Sequence, residues 1–170
     1  VATTRTSSAR RFLPGRRSLI ALAVGAGVVL TPLPALANAS APAAAAAAAV
    51  AAPTHAAQVA VNTAMAQRGK PYVWAGGGPS SFDCSGLTQY AYKAAGINLP
   101  HSSSTQATMG SPVSRAALQP GDLVFFFSPV SHIGIYIGNG QMVHAPTTGD
   151  VVKVTNIDAM GGYAGARRLA

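Results

Sequence analysis

The hydrophobic period of this chain changes at Pro120-Gly121, and that change limits the folds open to it. Before it, apolar residues recur at helical spacing. Thr54 can cap a helix running through Val59, Ala60, Thr63 and Ala64 to Gln67, with Gly69 as its stop signal. Lys70 to Asp83 is a loop rich in glycine, proline and serine. Leu87, Tyr90, Ala91 and Ala94 then repeat at i, i+3, i+4 and i+7, and Gly96 ends that second helix. A short third helix follows Ser102 to Ser104 and ends at Gly110. After Pro120-Gly121 the pattern is strand-like: Leu123 to Phe127, His132 to Ile137, Gln141 to Ala145, Val151 to Thr155, and a last piece near Ala164 to Leu169. Helices followed by antiparallel strands predict an α+β domain. Thr54 to Ala170 is 117 residues, enough for one core and too few for two ordinary domains.

The residues before that domain have a different character. Five arginines (Arg5, Arg10, Arg11, Arg16, Arg17) precede an uncharged, mostly apolar run from Leu19 to Leu30. Thr31-Pro32-Leu33-Pro34 breaks the run, and Ala35-Leu36-Ala37 offers an A-x-A cleavage site, with Ala37-Asn38-Ala39 as a second choice. This is the layout of a secretory signal peptide over residues 1–37, and twelve apolar residues are short for a membrane span. Arg16-Arg17 also allows twin-arginine export. Residues 38–53 are almost pure alanine and proline and read as a linker. The charge argument changes once the leader is set aside. Removing five arginines from 12 basic residues leaves seven against 4 acidic ones, a net charge of about +3. Nucleic-acid binding therefore loses its support.

Chemistry concentrates on one thiol. Cys84 is the only cysteine, so it has no internal disulfide partner. Asp83 is a natural N-cap, which puts the thiol in the first turn of the second helix. Unpaired N–H groups and the positive end of the helix dipole there favour thiolate, predicting a pKa below that of a free cysteine. Two histidines follow in strand-like sequence, His132 and His144. Along His132 to Ile137, alternation puts His132, Gly134 and Tyr136 on one face and the three isoleucines on the other. A two-residue Asn139-Gly140 turn would pair Ile135 with His144 and separate the histidines. A three-residue Gly138-Asn139-Gly140 loop would pair Gly134 with His144 and bring them together as diagonal neighbours, roughly 7–8 Å apart at the backbone.

Duller readings exist for each residue. A lone cysteine is commonly an inert core residue, and His132 and His144 could be structural. Cys84, His132 and His144 suit zinc by chemistry, but no short-spaced ligand pair is present. His55 and His101 read as loop or helix-start residues, and Ser102 to Ser104 as caps, since no G-x-S-x-G elbow exists. Tyr72 and Trp74 are core aromatics or the wall of a groove.

Six motifs come in a telling order: Gly69-Lys70-Pro71-Tyr72-Val73-Trp74, Phe82-Asp83-Cys84-Ser85-Gly86-Leu87, Leu99-Pro100-His101, Pro120-Gly121-Asp122-Leu123-Val124-Phe125-Phe126, His132 to Gly138, and Met142-Val143-His144-Ala145-Pro146. The set resembles the NlpC/P60 family of papain-like cysteine peptidases and spans about residues 60 to 169. The resemblance implies a small papain-like α+β domain, its cysteine helix packed on an antiparallel sheet. It also implies a substrate class, bacterial peptidoglycan, cut between D-γ-glutamate and a diamino acid such as diaminopimelate. Ala75 departs from the family, which usually has glycine after the aromatic, and no SH3-like or LysM-like module is legible.

The roles expected are Cys84 as nucleophile, His132 as its proton partner and His144 as the group that orients His132. The Cys84 backbone N–H would form part of an oxyanion hole. By resemblance, Tyr72 would stand near that hole, and Asp83 and Ser85 would face polar groups of the substrate. The expected protein is thus a secreted, monomeric cell-wall endopeptidase acting on stem peptides, with no cofactor, no metal, no nucleic acid and no membrane span after leader removal. An N-acetylmuramoyl-L-alanine amidase, another thiol acyl-transfer enzyme and a non-catalytic wall-binding protein are the alternatives.

Overall fold

The computed structural model describes residues 52–170. The expected leader and nearly all of the expected linker lie outside the described residues. Three helices come first: α1 (His55–Met65), α2 (Cys84–Ala94) and α3 (Ser103–Gln106). Six strands follow, β1 (Ser111–Val113), β2 (Leu123–Phe126), β3 (His132–Gly138), β4 (Gln141–His144), β5 (Lys153–Asn156) and β6 (Tyr163–Arg168). They form one antiparallel sheet in the order β1-β6-β2-β3-β4-β5.

The helix ends follow local chemistry. The Thr54 hydroxyl accepts the Ala57 N–H, as a capping threonine should. Both α1 and α3 stop earlier than their glycines suggest: α1 ends at Met65 rather than Gln67, and α3 at Gln106, well before Gly110. Strand β1 has no counterpart in the sequence pattern. Its three residues, Ser111-Pro112-Val113, carry no alternation, and pairing with β6 alone makes them a strand.

The sheet sorts its side chains by face. Ile133 and Ile135 of β3, Val143 of β4 and Leu123 and Phe125 of β2 join Ala60, Ala64, Leu87, Ala91 and Tyr92 of the helices in the main core. Each fully buried aliphatic there contributes up to about 1.5–3 kcal/mol. The opposite face carries Val124, Phe126, Met142 and Ala166, with Tyr136 packed beside them. His132 lies on that second face, its ring 6.0 Å from Phe126. The N-terminus of α2 approaches the sheet where β3 begins, so helix start and strand start meet there.

The β3–β4 hairpin settles the histidine register. Asn139 and Gly140 both have positive φ (54° and 71°), the signature of a two-residue type I′ turn. That turn closes on a Gly138–Gln141 pair, and an irregularity between Tyr136 and Gly138 then shifts the ladder by one residue. Tyr136 consequently faces Met142, and Ile135 faces Val143. Continued by one residue, that register sets Gly134 opposite His144, the arrangement expected of the three-residue loop. It arises instead from the shorter turn plus a bulge. A Cβ on Gly134 would stand 2.6 Å from Met142 Sδ and 3.3 Å from the Cβ of His144, so glycine leaves the room that these two side chains occupy.

Candidate active site

Cys84 opens α2 behind its cap. Asp83, at φ −96° and ψ 179°, accepts the Gly86 N–H at 2.7 Å and the Ser85 hydroxyl at 3.1 Å on the same carboxylate oxygen. His101 Nε2 stands 2.8 Å from both oxygens. His101 directly precedes Ser102, the N-cap of α3, in keeping with its reading as a loop or helix-start residue. It closes the Asp83 cap, and only its place in the Leu99-Pro100-His101 motif hinted at that. The turn is also held from below. Buried Gln106 donates to the carbonyls of Ser85 (3.1 Å) and Pro100 (2.7 Å), and Thr88 donates to Ser85 O (2.8 Å).

The thiol opens into a cleft of about 450 Å³ lined by Tyr72, Trp74, Ala75, Ser85, Ser102, Ser131 and His132, among others. Trp74 is 82% exposed, so it walls the cleft and is no core aromatic. Tyr72 is half-buried beside it, and burial followed by the neighbouring Cys84 and Asp83 raises its phenol pKa. Ala75 adopts φ 58°, the left-handed conformation that glycine favours, which gives a physical reason for glycine being usual there. A larger hollow of about 600 Å³, lined by Tyr90, Lys93 and Asn98, contains neither cysteine nor histidine.

The two histidines are in contact. His132 Nε2 lies 2.8 Å from His144 Nδ1, with the rings edge to face at a centroid distance of 5.1 Å. His144 Nε2 lies 3.1 Å from Thr155 Oγ1 on β5. With Nε2 engaged, Nδ1 is the nitrogen of His132 left for the thiol. Both imidazoles are buried, at 6% and 1% exposure. Among the described residues, no three His, Cys, Asp or Glu side chains are arranged to hold a metal ion, and no helix is long and apolar enough to cross a membrane.

Burial dominates the electrostatics and reverses one expectation. It pushes the Cys84 thiol up to about 11, with the Asp83 carboxylate adding to the rise. Backbone N–H groups of Ile133, Ser85 and Cys84 pull the other way without prevailing. The depressed thiol pKa expected from the helix terminus is therefore not found, because desolvation and an adjacent negative charge outweigh the helix end. Burial likewise lowers His132 to about 4. His144 falls to about 4 through burial, then His132 and Lys153, with Asp150 opposing. Each of these shifts favours the uncharged form of its group.

Known proteins share this arrangement of chain. The model of the NlpC/P60 family matches residues 69–165. A probable endopeptidase of Mycobacterium tuberculosis is 51% identical over 108 residues, covering 64% of this chain and 28% of that protein. Probable endopeptidase p60 of Listeria monocytogenes is 50% identical over 95 residues, covering 55% of this chain and 19% of that protein. The chain thus spans under a third of the length of these two relatives. Among solved structures, an NlpC/P60 family protein from Bacillus cereus superposes with a TM-score of 0.64 at 38% identity, over 70% of this chain and 41% of that one. The NlpC/p60 domain of the peptidoglycan hydrolase SagA gives 0.62 at 35% identity, over 66% of this chain and 98% of that one.

Proposed function

The chain belongs to the NlpC/P60 family, and from that premise we propose that it is a secreted cysteine endopeptidase of bacterial peptidoglycan. The bond it hydrolyses is a stem-peptide amide, D-γ-glutamyl–diaminopimelate, and it acts in the cell wall or outside the cell. The observation that carries the reading is the hydrogen bond between His132 Nε2 and His144 Nδ1 beside a lone cleft cysteine, since it leaves His132 Nδ1 free for the thiol. A relative named as a peptidoglycan hydrolase supports the substrate class.

The chemistry follows from the atoms present. His132 Nδ1 takes the Cys84 proton as Sγ bonds to the scissile carbonyl carbon. The N–H groups of Cys84 and Ser85, at the start of α2, lie near the sulfur and stabilise the oxyanion. His132 then returns its proton to the leaving amine, the C–N bond breaks, and an acyl-thioester remains. Water, deprotonated by His132, releases the new carboxylate and restores the thiol. His144 accepts from His132 Nε2–H throughout. Tyr72, Asp83 and Ser85 bind polar groups of the substrate around the thiol.

The test is digestion of purified muropeptides read by mass spectrometry beside a Cys84→Ala control. A new amine on diaminopimelate, absent with Cys84→Ala, is the expected product. His132→Asn should abolish turnover, while His144→Asn, which keeps an acceptor, should retain a measurable fraction. Release of free N-acetylmuramic acid ends would replace the endopeptidase reading with an amidase, and cleavage by Cys84→Ala would end the cysteine mechanism.

A further inference from the structure

The hydrogen-bond chain from His132 does not stop at the second histidine. His144 Nδ1 faces His132 at 2.8 Å, and its other ring nitrogen faces Thr155 Oγ1 at 3.1 Å. The strand register makes this contact systematic: His144 pairs with Lys153 and Met142 with Thr155, so Thr155 is the diagonal neighbour of His144 on the same face. A neutral imidazole carries one proton, on one nitrogen or the other. For His132 Nδ1 to be free to receive the thiol proton, His132 must carry its own proton on Nε2 and donate it to His144 Nδ1. His144 Nδ1 must then be bare, which leaves the His144 proton on Nε2, facing Thr155. Resting on the reading of Cys84 and His132 given above, we propose that Thr155 is a positioning residue that holds His144 in its Nε2–H tautomer by accepting that proton.

No carboxylate does this work. The groups facing His144 are His132, Lys153 and Asp150, and Asp150 is engaged with Lys153 and the Val151 N–H. A hydroxyl suits the position because it accepts from Nε2–H without bringing a charge that would hold a proton on His144. The buried Nε2–H would otherwise have no partner, a condition that buried polar groups rarely tolerate.

Thr155→Val keeps the shape and removes the acceptor, while Thr155→Ser keeps the acceptor and removes the methyl group. In the whole chain with ¹⁵N-labelled histidine, His144 should show the Nε2–H pattern of nitrogen shifts in the unaltered protein and in Thr155→Ser, and a mixture of tautomers in Thr155→Val. This readout needs no substrate, so it stands or falls separately from the proposed peptidase activity. On the muropeptide, kcat/KM of Thr155→Val should fall about tenfold or more, in kcat rather than KM, as for loss of one hydrogen bond acting in the transition state. Thr155→Ser should recover most of it, with circular dichroism unchanged. An unaltered His144 tautomer in Thr155→Val would overturn the proposal, as would equal losses in the valine and serine variants.

Discussion

Replacing Gly86 by alanine should destabilise this protein, although the same change in most helices would do the reverse. Gly86 lies in the first turn of α2, and its φ is not left-handed, so no backbone strain attends the substitution. Helix propensity alone favours alanine by about 1 kcal/mol. The obstacle is steric. A Cβ at Gly86 would stand 2.9 Å from the carbonyl carbon of Gly76 and 2.9 Å from His101 Nε2, with the Gly76 oxygen closer still. Normal contact begins at roughly 3.5 Å. That oxygen also accepts the Asp83 N–H at 2.8 Å, while the Gly76 N–H is tied to Val73 O at 2.9 Å. The loop therefore retreats only by giving up the bond to Asp83.

Overpacking of this kind costs about 1–3 kcal/mol, and stranding the N–H of buried Asp83 about 1–3 more. Setting the propensity gain against these leaves a net loss near 3 kcal/mol. With a urea slope of about 1.5 kcal/mol per molar, the unfolding midpoint should fall by about 2 M. Turnover in native buffer should fall further than stability suggests, because Cys84 moves with its turn, and an ångström of misplacement costs about a hundredfold. An unchanged or raised midpoint for Gly86→Ala would refute the reasoning, since the close approach to Gly76 would then be no constraint.

Two pH measurements test the buried charges. The rate of Cys84 alkylation by iodoacetamide should reach its midpoint above the free-thiol value of about 8.5, because burial and Asp83 raise the thiol; a midpoint below that value would show that the helix terminus prevails. Both histidines have folded-state pKa values near 4 against an ordinary 6.5, so their contribution to stability is present above pH 6.5 and is lost as pH falls through 4. Protonating the first of the pair should cost on the order of 3 kcal/mol, read as a falling urea midpoint between pH 7 and 4; the same slope in a His132→Asn, His144→Asn double variant would assign it to other groups.

What the sequence made legible follows the range of each interaction. Asp83 as cap and Cys84 as first helical residue rest on contacts within three residues, and a sequence displays those directly. The face alternation of β3 is equally local. The pairing of His132 with His144 was reachable only by asking which loop would unite them; the outcome agrees, but the bulge that delivers it depends on how β3 sits in the sheet. The contact of His101 with Asp83 is not legible in the sequence because the two residues are 18 apart. Strand β1 was invisible because Ser111-Pro112-Val113 has no pattern of its own and exists through β6, more than 50 residues later. The thiol pKa was misjudged for a related reason: the helix end is a local feature, whereas burial is a property of the whole fold.

That last reversal bears on how the site can work. Burial raises the Cys84 thiol and lowers His132, so both shifts oppose moving the proton before any bond forms. In the mechanism proposed above, proton transfer then accompanies C–S bond formation, when positive charge on His132 grows opposite negative charge on the carbonyl oxygen. In that mechanism the N–H groups at the start of α2 and the acceptor on His144 would become strong partners only at that moment, which is where binding energy accelerates a reaction. The same low dielectric that disfavours the separated ions strengthens both interactions once the charges appear. On this account, the burial that appears to silence the cysteine also makes the hydrogen-bond chain through His132, His144 and Thr155 effective.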